Sequence, residues 1–305
     1  MKKRLFVIIG TILSVIAVIF AGLLIYKAVT TDLFNKRLEL NKIKSKLFGA
    51  SKETETAQAV QFNDEVLEGI IRNGLGKKTG EIYNTGLMEI ESIVIYGSGK
   101  PEESTFNEAY NHDTMKITSI TGYGKMNALD DFKYFPNIRR LIISEQDIID
   151  ISPLKEASNL ESLSLNSFQI TDISPLKNLT KLSWLTLSDN HITDISPLKS
   201  LSKLTILGLN KNKISDIHDL ESLVNLTDLD LSNNIITDIS PLRGLSRLSM
   251  LCLSNNRISD ISALKDLVNL TVLELDNNLI TEINALNNLT DLTILSLSNN
   301  QITDI

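Results

Sequence analysis

Apolar residues recur along the chain in a pattern that repeats every 22 residues. In residues 182–201 they occupy positions 182, 185, 187, 192, 195, 198 and 201, and an asparagine stands at 190. The same pattern returns at this spacing over more than half of the chain. A repeat of this length predicts a solenoid, in which each repeat is one structural unit that stacks on the next.

Each repeat contains a strand and a short turn. Positions 4 and 6 are apolar between polar neighbours, which predicts a strand with one buried face. Position 9 is asparagine, whose amide can bond the backbone groups left inside where the chain turns a corner. Gln146 and Phe168 occupy this position in the first repeats and are expected to interrupt the asparagine ladder. The repeats begin at Ile138, Leu160, Leu182, Leu204, Leu226, Leu248, Leu270 and Leu292.

A Ser-Pro pair follows in several repeats, at 152–153, 174–175, 196–197 and 240–241. Serine is a favourable N-cap and proline a favourable first helical residue, so one short α or 3₁₀ turn is expected there. Seven repeats are complete, the eighth is partial, and a degenerate copy precedes them, so that the repeats occupy 116–305. The predicted fold class is α/β, with a parallel sheet and short helical turns.

The segment 61–96 predicts a small helical N-terminal cap. Asp64 can cap a helix whose apolar stripe runs from Val66 to Leu75, and Gly76 can end it. Residues 92–96 (SIVIY) resemble a strand. A polar loop insertion is expected at 97–115.

The N-terminus predicts a membrane anchor. After a basic tail at 1–4, residues 5–26 carry no charge, and a helix of that length spans roughly 33 Å. A cleaved signal peptide is the alternative, although its apolar region is normally shorter. A basic stalk and polar linker follow at 27–60, and their lysines and arginines favour repeats that face the cytoplasm.

Charge and cysteine content exclude several classes of function. The formal net charge is −7, but the first 50 residues hold nine basic and two acidic residues, which suits an anionic membrane surface. The remainder holds 21 basic and 35 acidic residues, which argues against a nucleic-acid partner. The single cysteine excludes an internal disulfide. No catalytic, cofactor or metal site is predicted, because no phosphate loop, nucleophile triad or metal-ligand spacing occurs.

The uninterrupted 22-residue register resembles the leucine-rich repeats of the internalin family and of protein-phosphatase-1 regulatory subunits. Residues 62–82 (FNDEVLEGIIRNGLGKKTGEI) are similar to the helical cap before such arrays in Gram-positive surface proteins. The resemblance implies a right-handed curved solenoid whose concave sheet binds proteins outside the cell. Such proteins usually add a C-terminal cap. The chain stops at Ile305, so edge pairing at an uncapped last repeat is expected.

Strand positions 3, 5 and 7 should form the concave face and hold the partner-binding residues. Trp184 stands beside Ile206, where Gly208 leaves room, and it can either anchor a partner or cover apolar neighbours. An acidic zone follows around Met250 and Cys252, and it suits a solvated contact face better than acid–base catalysis or a calcium site. Cys252 is expected to be an exposed thiol. The predicted contact residues are Trp184, Ile206, Asp228, Asp230, Met250, Glu274 and Asp276.

Together these features predict a membrane-anchored leucine-rich-repeat module, displayed outside the cell as a receptor or adhesin-like protein for an unidentified protein ligand. The alternative is a cytoplasm-facing scaffold or regulatory subunit tethered by residues 5–26. No enzymatic activity is predicted.

Overall fold

The computed structural model describes residues 57–97 and 119–303. The predicted membrane span at 5–26, the stalk and linker up to residue 56, and most of the loop insertion lie outside the described residues. Within the described ranges, no helix combines the length and the apolar character that a bilayer crossing requires.

Ten strands in the described ranges form one parallel sheet. From Arg140 onward, each strand residue pairs with the residue 22 positions later in the next strand, as the sequence period predicts. Equivalent side chains therefore lie side by side, and the leucines at positions 4 and 6 form the core. The strands are β3 (Ser92–Tyr96), β4 (Ser119–Tyr123), β5 (Arg140–Ser144), β6 (Ser162–Asn166), β7 (Trp184–Thr186), β8 (Ile206–Gly208), β9 (Asp228–Asp230), β10 (Met250–Cys252), β11 (Val272–Glu274) and β12 (Ile294–Ser296).

Short 3₁₀ helices connect the strands, but their serines do not cap them. Asp172 Oδ1 instead accepts from the backbone N–H of Ser174 at 2.8 Å, and its Oδ2 accepts from the Ser174 hydroxyl at 3.0 Å. The serine N-cap prediction is therefore wrong, and the repeated aspartate two residues earlier binds the free N–H. These helices are Asp130–Tyr134, Ser152–Glu156, Ser174–Leu176, Ser196–Ser200, His218–Ser222, Ser240–Gly244, Ser262–Leu264 and Asn284–Leu286.

The N-terminal part contains the predicted capped helix, α1 (Glu65–Gly74). The Asp64 side chain accepts from Leu67 N, and Gly76 ends the helix with a φ of 61°. Two short strands, β1 (Ala59–Val60) and β2 (Ile82–Tyr83), pair antiparallel. A single helical turn, α2 (Asn84–Leu87), follows.

The sheet order departs from the chain order at this end, because β3 lies between β4 and β5. The segment 61–96 is therefore not purely helical, since it contributes a strand to the repeat sheet. Helix α1 packs against the core side of β4. A Cβ atom on Gly122 would lie 2.6 Å from the Ile70 side chain, so this close approach requires glycine.

The asparagines at position 9 form the predicted ladder. Asn234 donates to the carbonyls of Leu209 and Leu231, both at 3.0 Å, and accepts from Ile214 N at 3.0 Å. Leu209 O also accepts from its own repeat's Asn212, so two amides share one carbonyl. The same pattern holds along the column of Asn190, Asn212, Asn234, Asn256, Asn278 and Asn300.

Gln146 continues this ladder, contrary to prediction. Its amide donates to Gly124 O at 3.0 Å and accepts from Met126 N at 2.6 Å. The side chain is 1% exposed. Glutamine can perform the asparagine's role because it offers the same amide. Phe168, which has no polar side-chain atom, interrupts the column as predicted.

Candidate functional site

The side of the sheet opposite the core carries the repeat positions that vary. We call the side chains at positions 3, 5 and 7 from β7 to β12 the strand face. Because the strands are in register, each position forms a row, with neighbours about 4.8 Å apart. The first row is Trp184, Ile206, Asp228, Met250, Val272 and Ile294; the second is Thr186, Gly208, Asp230, Cys252, Glu274 and Ser296; the third is Ser188, Asn210, Ser232, Ser254, Asp276 and Ser298.

All seven predicted contact residues lie on the strand face. Trp184 is the direct neighbour of Ile206, and Asp228 separates Ile206 from Met250. Asp230 and Glu274 flank Cys252 in the second row, while Asp276 belongs to the third. Their contact with a partner stays a prediction.

At the N-terminal end of the strand face, polar side chains bind one another. Thr186 Oγ1 donates to Ser164 Oγ at 2.9 Å, and Asn166 Nδ2 donates to the same oxygen at 3.1 Å. Asn166 Oδ1 accepts from Ser188 N at 2.8 Å, and the Ser188 hydroxyl donates to Asn210 Oδ1. Much of the hydrogen-bonding capacity here is therefore used within the protein.

The space beside Gly208 is limited on the side of Thr186. A Cβ atom on Gly208 would lie 3.1 Å from Thr186 Cγ2, which is closer than an ordinary contact, so the threonine methyl partly fills the space that the glycine leaves. Trp184 and Ile206 are half-buried neighbours on paired strands and form an apolar surface.

The acidic zone is less solvated than the sequence suggested. Burial raises the pKa of the Asp230 carboxyl, although a bond from Ser232 N at 2.9 Å opposes this. Burial also raises the pKa of Glu274, although a hydrogen bond from the Cys252 thiol opposes this. The negative charges of Asp230 and Asp276 add to the increase. The prediction of a fully solvated acidic face is therefore wrong, because these carboxylates are partly buried. The physical reason is the strand spacing, since neighbouring side chains cover much of each carboxylate.

Cys252 is half-buried, not exposed as predicted. Burial raises the pKa of its thiol, and the negative charges of Glu274 and Asp230 raise it further. The thiol is therefore neutral at physiological pH. A neutral thiol is a poor nucleophile and a poor metal ligand.

The carboxylates of this zone have no basic partner in the described part of the chain. Within residues 57–97 and 119–303, no ion pair joins Asp228, Asp230, Glu274 or Asp276 to a lysine, arginine or histidine. All four accept internal hydrogen bonds. Asp228 accepts from Thr227 Oγ1 at 2.6 Å, Asp230 from Ser232 N at 2.9 Å and Asp276 from Ser298 N at 2.6 Å. Glu274 accepts from the Cys252 thiol. No group of three or more potential metal ligands occurs in the same ranges.

Sequence reasoning missed two tyrosines on the same side of the sheet. Tyr96 of β3 and Tyr123 of β4 stack with ring centroids 5.7 Å apart, and Tyr96 is 40% exposed. Tyr96 pairs with Ser144, which places it in line with the third row. The strand-like segment 92–96 is the signal that could have revealed this, because every second side chain of a strand lies on the same face.

Comparison with known proteins identifies the repeats. The profile of the family described as Leucine Rich repeats (2 copies) matches residues 180–222, 224–266, 246–288 and 268–305. A comparison with curated proteins gave no match.

Several solved structures share the fold. An internalin (inlF) from Listeria monocytogenes is 30% identical, with a TM-score of 0.55, and the match covers 80% of this chain and 78% of that one. Internalin C2 from the same species is 29% identical, with a TM-score of 0.56, over 80% and 88%. A third structure is the leucine-rich-repeat ectodomain of a plant membrane receptor kinase from Arabidopsis thaliana, in complex with Casparian strip integrity factor 2. It is 24% identical, with a TM-score of 0.52, and the match covers 60% of this chain and 26% of that one. This similarity supports the fold alone.

Proposed function

Because the chain belongs to the internalin family of leucine-rich-repeat proteins, we propose that its strand face binds a protein partner. One observation carries the proposal: Trp184, the chain's only tryptophan, lies half-buried beside Ile206 on the face whose residues vary from repeat to repeat. Tryptophan is enriched among the residues that dominate binding energy, because it buries a large area at low entropic cost.

Replacing Trp184 by alanine tests the proposal. Once a partner has been isolated, we expect Trp184→Ala to weaken its affinity by more than about 1 kcal/mol in a calorimetric titration. Val224→Ala is a suitable control, because Val224 is 52% exposed and follows the 3₁₀ helix His218–Ser222, away from the strand face. Unchanged affinity in Trp184→Ala, or an equal loss in Val224→Ala, would contradict the proposal.

The same proposal includes display of the repeats outside the cell. The uncharged segment 5–26 and the similarity to internalins support this location. Cleavage of the segment would give a secreted form. Proteolysis of intact cells tests the location: degradation of the repeats before lysis supports display. A protected repeat domain would favour the second candidate, a cytoplasm-facing scaffold, to which the basic residues after position 26 point.

A further inference from the structure

Two carboxylates on the strand face stand on either side of a neutral thiol. Cys252 pairs in register with Asp230 on β9 and with Glu274 on β11. At about 4.8 Å per strand, the two acidic residues are roughly 10 Å apart along the second row. A group placed over Cys252 would therefore lie within reach of both carboxylates.

This arrangement is unfavourable in the isolated chain. Both carboxylates are half-buried, and each lacks a basic partner among the described residues. Loss of hydration and mutual repulsion both disfavour the charged forms. A cation over Cys252 would offset both effects, so the charge distribution is complementary to a positively charged ligand group.

An apolar strip borders these acids. Met250, Val272 and Ile294 are half-buried neighbours in the first row, on the same three strands as Cys252, Glu274 and Ser296. A free metal ion would gain nothing from this strip. A protein segment could cover it with apolar side chains while it presents a basic one to the second row.

We propose that this half of the strand face docks a segment of a partner protein that places an arginine or lysine over Cys252, between Asp230 and Glu274, and apolar side chains on Met250 and Val272. The inference rests on the proposed function and specifies the partner's chemistry. Arginine suits the position well, because its planar fork of five N–H donors can bond two carboxylates at once.

A random peptide library displayed on phage provides the probe for the full-length protein. Selection on the wild type is expected to enrich peptides with a basic residue flanked by apolar ones. A synthetic copy of an enriched peptide is then titrated against an Asp230→Asn, Glu274→Gln double variant. Both substitutions keep side-chain size and remove only the charge.

We expect the double variant to bind this peptide at least about tenfold more weakly and with less dependence on salt. Glu221→Gln with Glu282→Gln is the matched control, because it removes two exposed charges outside the strand face. This control should bind like the wild type. Equal losses in both double variants would indicate a general charge effect and overturn the proposal.

The outcomes separate this inference from the proposed function. If Trp184→Ala abolishes peptide binding while the neutralised variant binds normally, the strand face is the site and the basic segment is refuted. Enriched peptides without a basic residue refute it equally. If no peptide is enriched, or if neither Trp184→Ala nor the neutralised variant affects binding, both proposals fail.

Discussion

Loss of Asn190 should destabilise the protein more than loss of Asn234, although the two side chains are almost equally buried, at 6% and 7% exposure. The difference arises from shared carbonyls. In Asn234→Ala, Leu209 O keeps its bond from Asn212, and Leu231 O keeps its bond from Asn256. Only Ile214 N is left without its partner.

Asn190 stands at an interruption of the column, because Phe168 precedes it. In Asn190→Ala, Leu187 O retains its bond from Asn212, but Leu165 O loses the only side-chain amide among the described residues that reaches it. Ile170 N also loses its acceptor. Two buried backbone groups are thus orphaned instead of one.

The magnitudes follow from these counts. A lost bond whose partner stays satisfied costs about 0.5–1.5 kcal/mol, and an orphaned buried group costs about 1–3 kcal/mol. Asn234→Ala should therefore cost roughly 2–6 kcal/mol. In Asn190→Ala, one of the two carbonyls that stay satisfied in Asn234→Ala is orphaned instead. The cost of Asn190→Ala should therefore be about 1 kcal/mol larger than that of Asn234→Ala.

Urea denaturation of the purified variants measures the free energies of unfolding. Asn269→Ala is the control, because the one side-chain bond of the exposed Asn269 among the described residues runs to Ser246 O at 2.7 Å. This variant should lose no more than about 1.5 kcal/mol. An Asn234→Ala variant that is as unstable as Asn190→Ala would refute the role of shared carbonyls.

Two further predictions concern single positions. Because burial raises the pKa of Asp230 above its unfolded value, its charge opposes folding above that pKa, and the penalty disappears as the pH falls. Asp230→Asn should thus be more stable than the wild type at pH 7 and should lose this advantage near about pH 4. Urea denaturation at both pH values measures the difference. A gain in stability that does not depend on pH would contradict the prediction. Lys211 has a φ of 56°, and later repeats carry asparagine at this position. Because asparagine adopts this left-handed conformation more readily than lysine, Lys211→Asn should stabilise the protein by up to about 1 kcal/mol. Asn233→Lys should destabilise it by a similar amount, and thermal melts measure both changes. Equal melting temperatures would exclude a backbone effect.

The repeats could be predicted from the sequence because one period determines their strand register. Once residues 22 apart occupy neighbouring strands, the rows of the strand face follow directly, including the proximity of Trp184 to Ile206. The position of β3 could not be predicted in this way. Ser92 pairs with Ser119 and Arg140, which are 27 and 48 residues later, so no common period links them.

Finer features depended on contacts that a single repeat does not contain. Serine and aspartate can both bind a free helical N–H, and only the geometry shows that Asp172 does so. The burial of Asp230 and Glu274 depends on side chains from the adjacent strands. The strand positions therefore predicted an acidic zone, but they did not indicate that its carboxylates are partly buried.

The shared carbonyls also determine how such an array can change in length. Every ladder bond joins a residue to its own repeat or to the adjacent one, so excision or duplication of a whole 22-residue unit restores equivalent partners at the new junction. An insertion of any other size within a repeat would leave amides and carbonyls out of register. Excision of 226–247 would remove Asp228 and Asp230 and bring Gly208 beside Cys252. Recombination in whole units can thus rewrite the binding surface while the backbone bonding is kept.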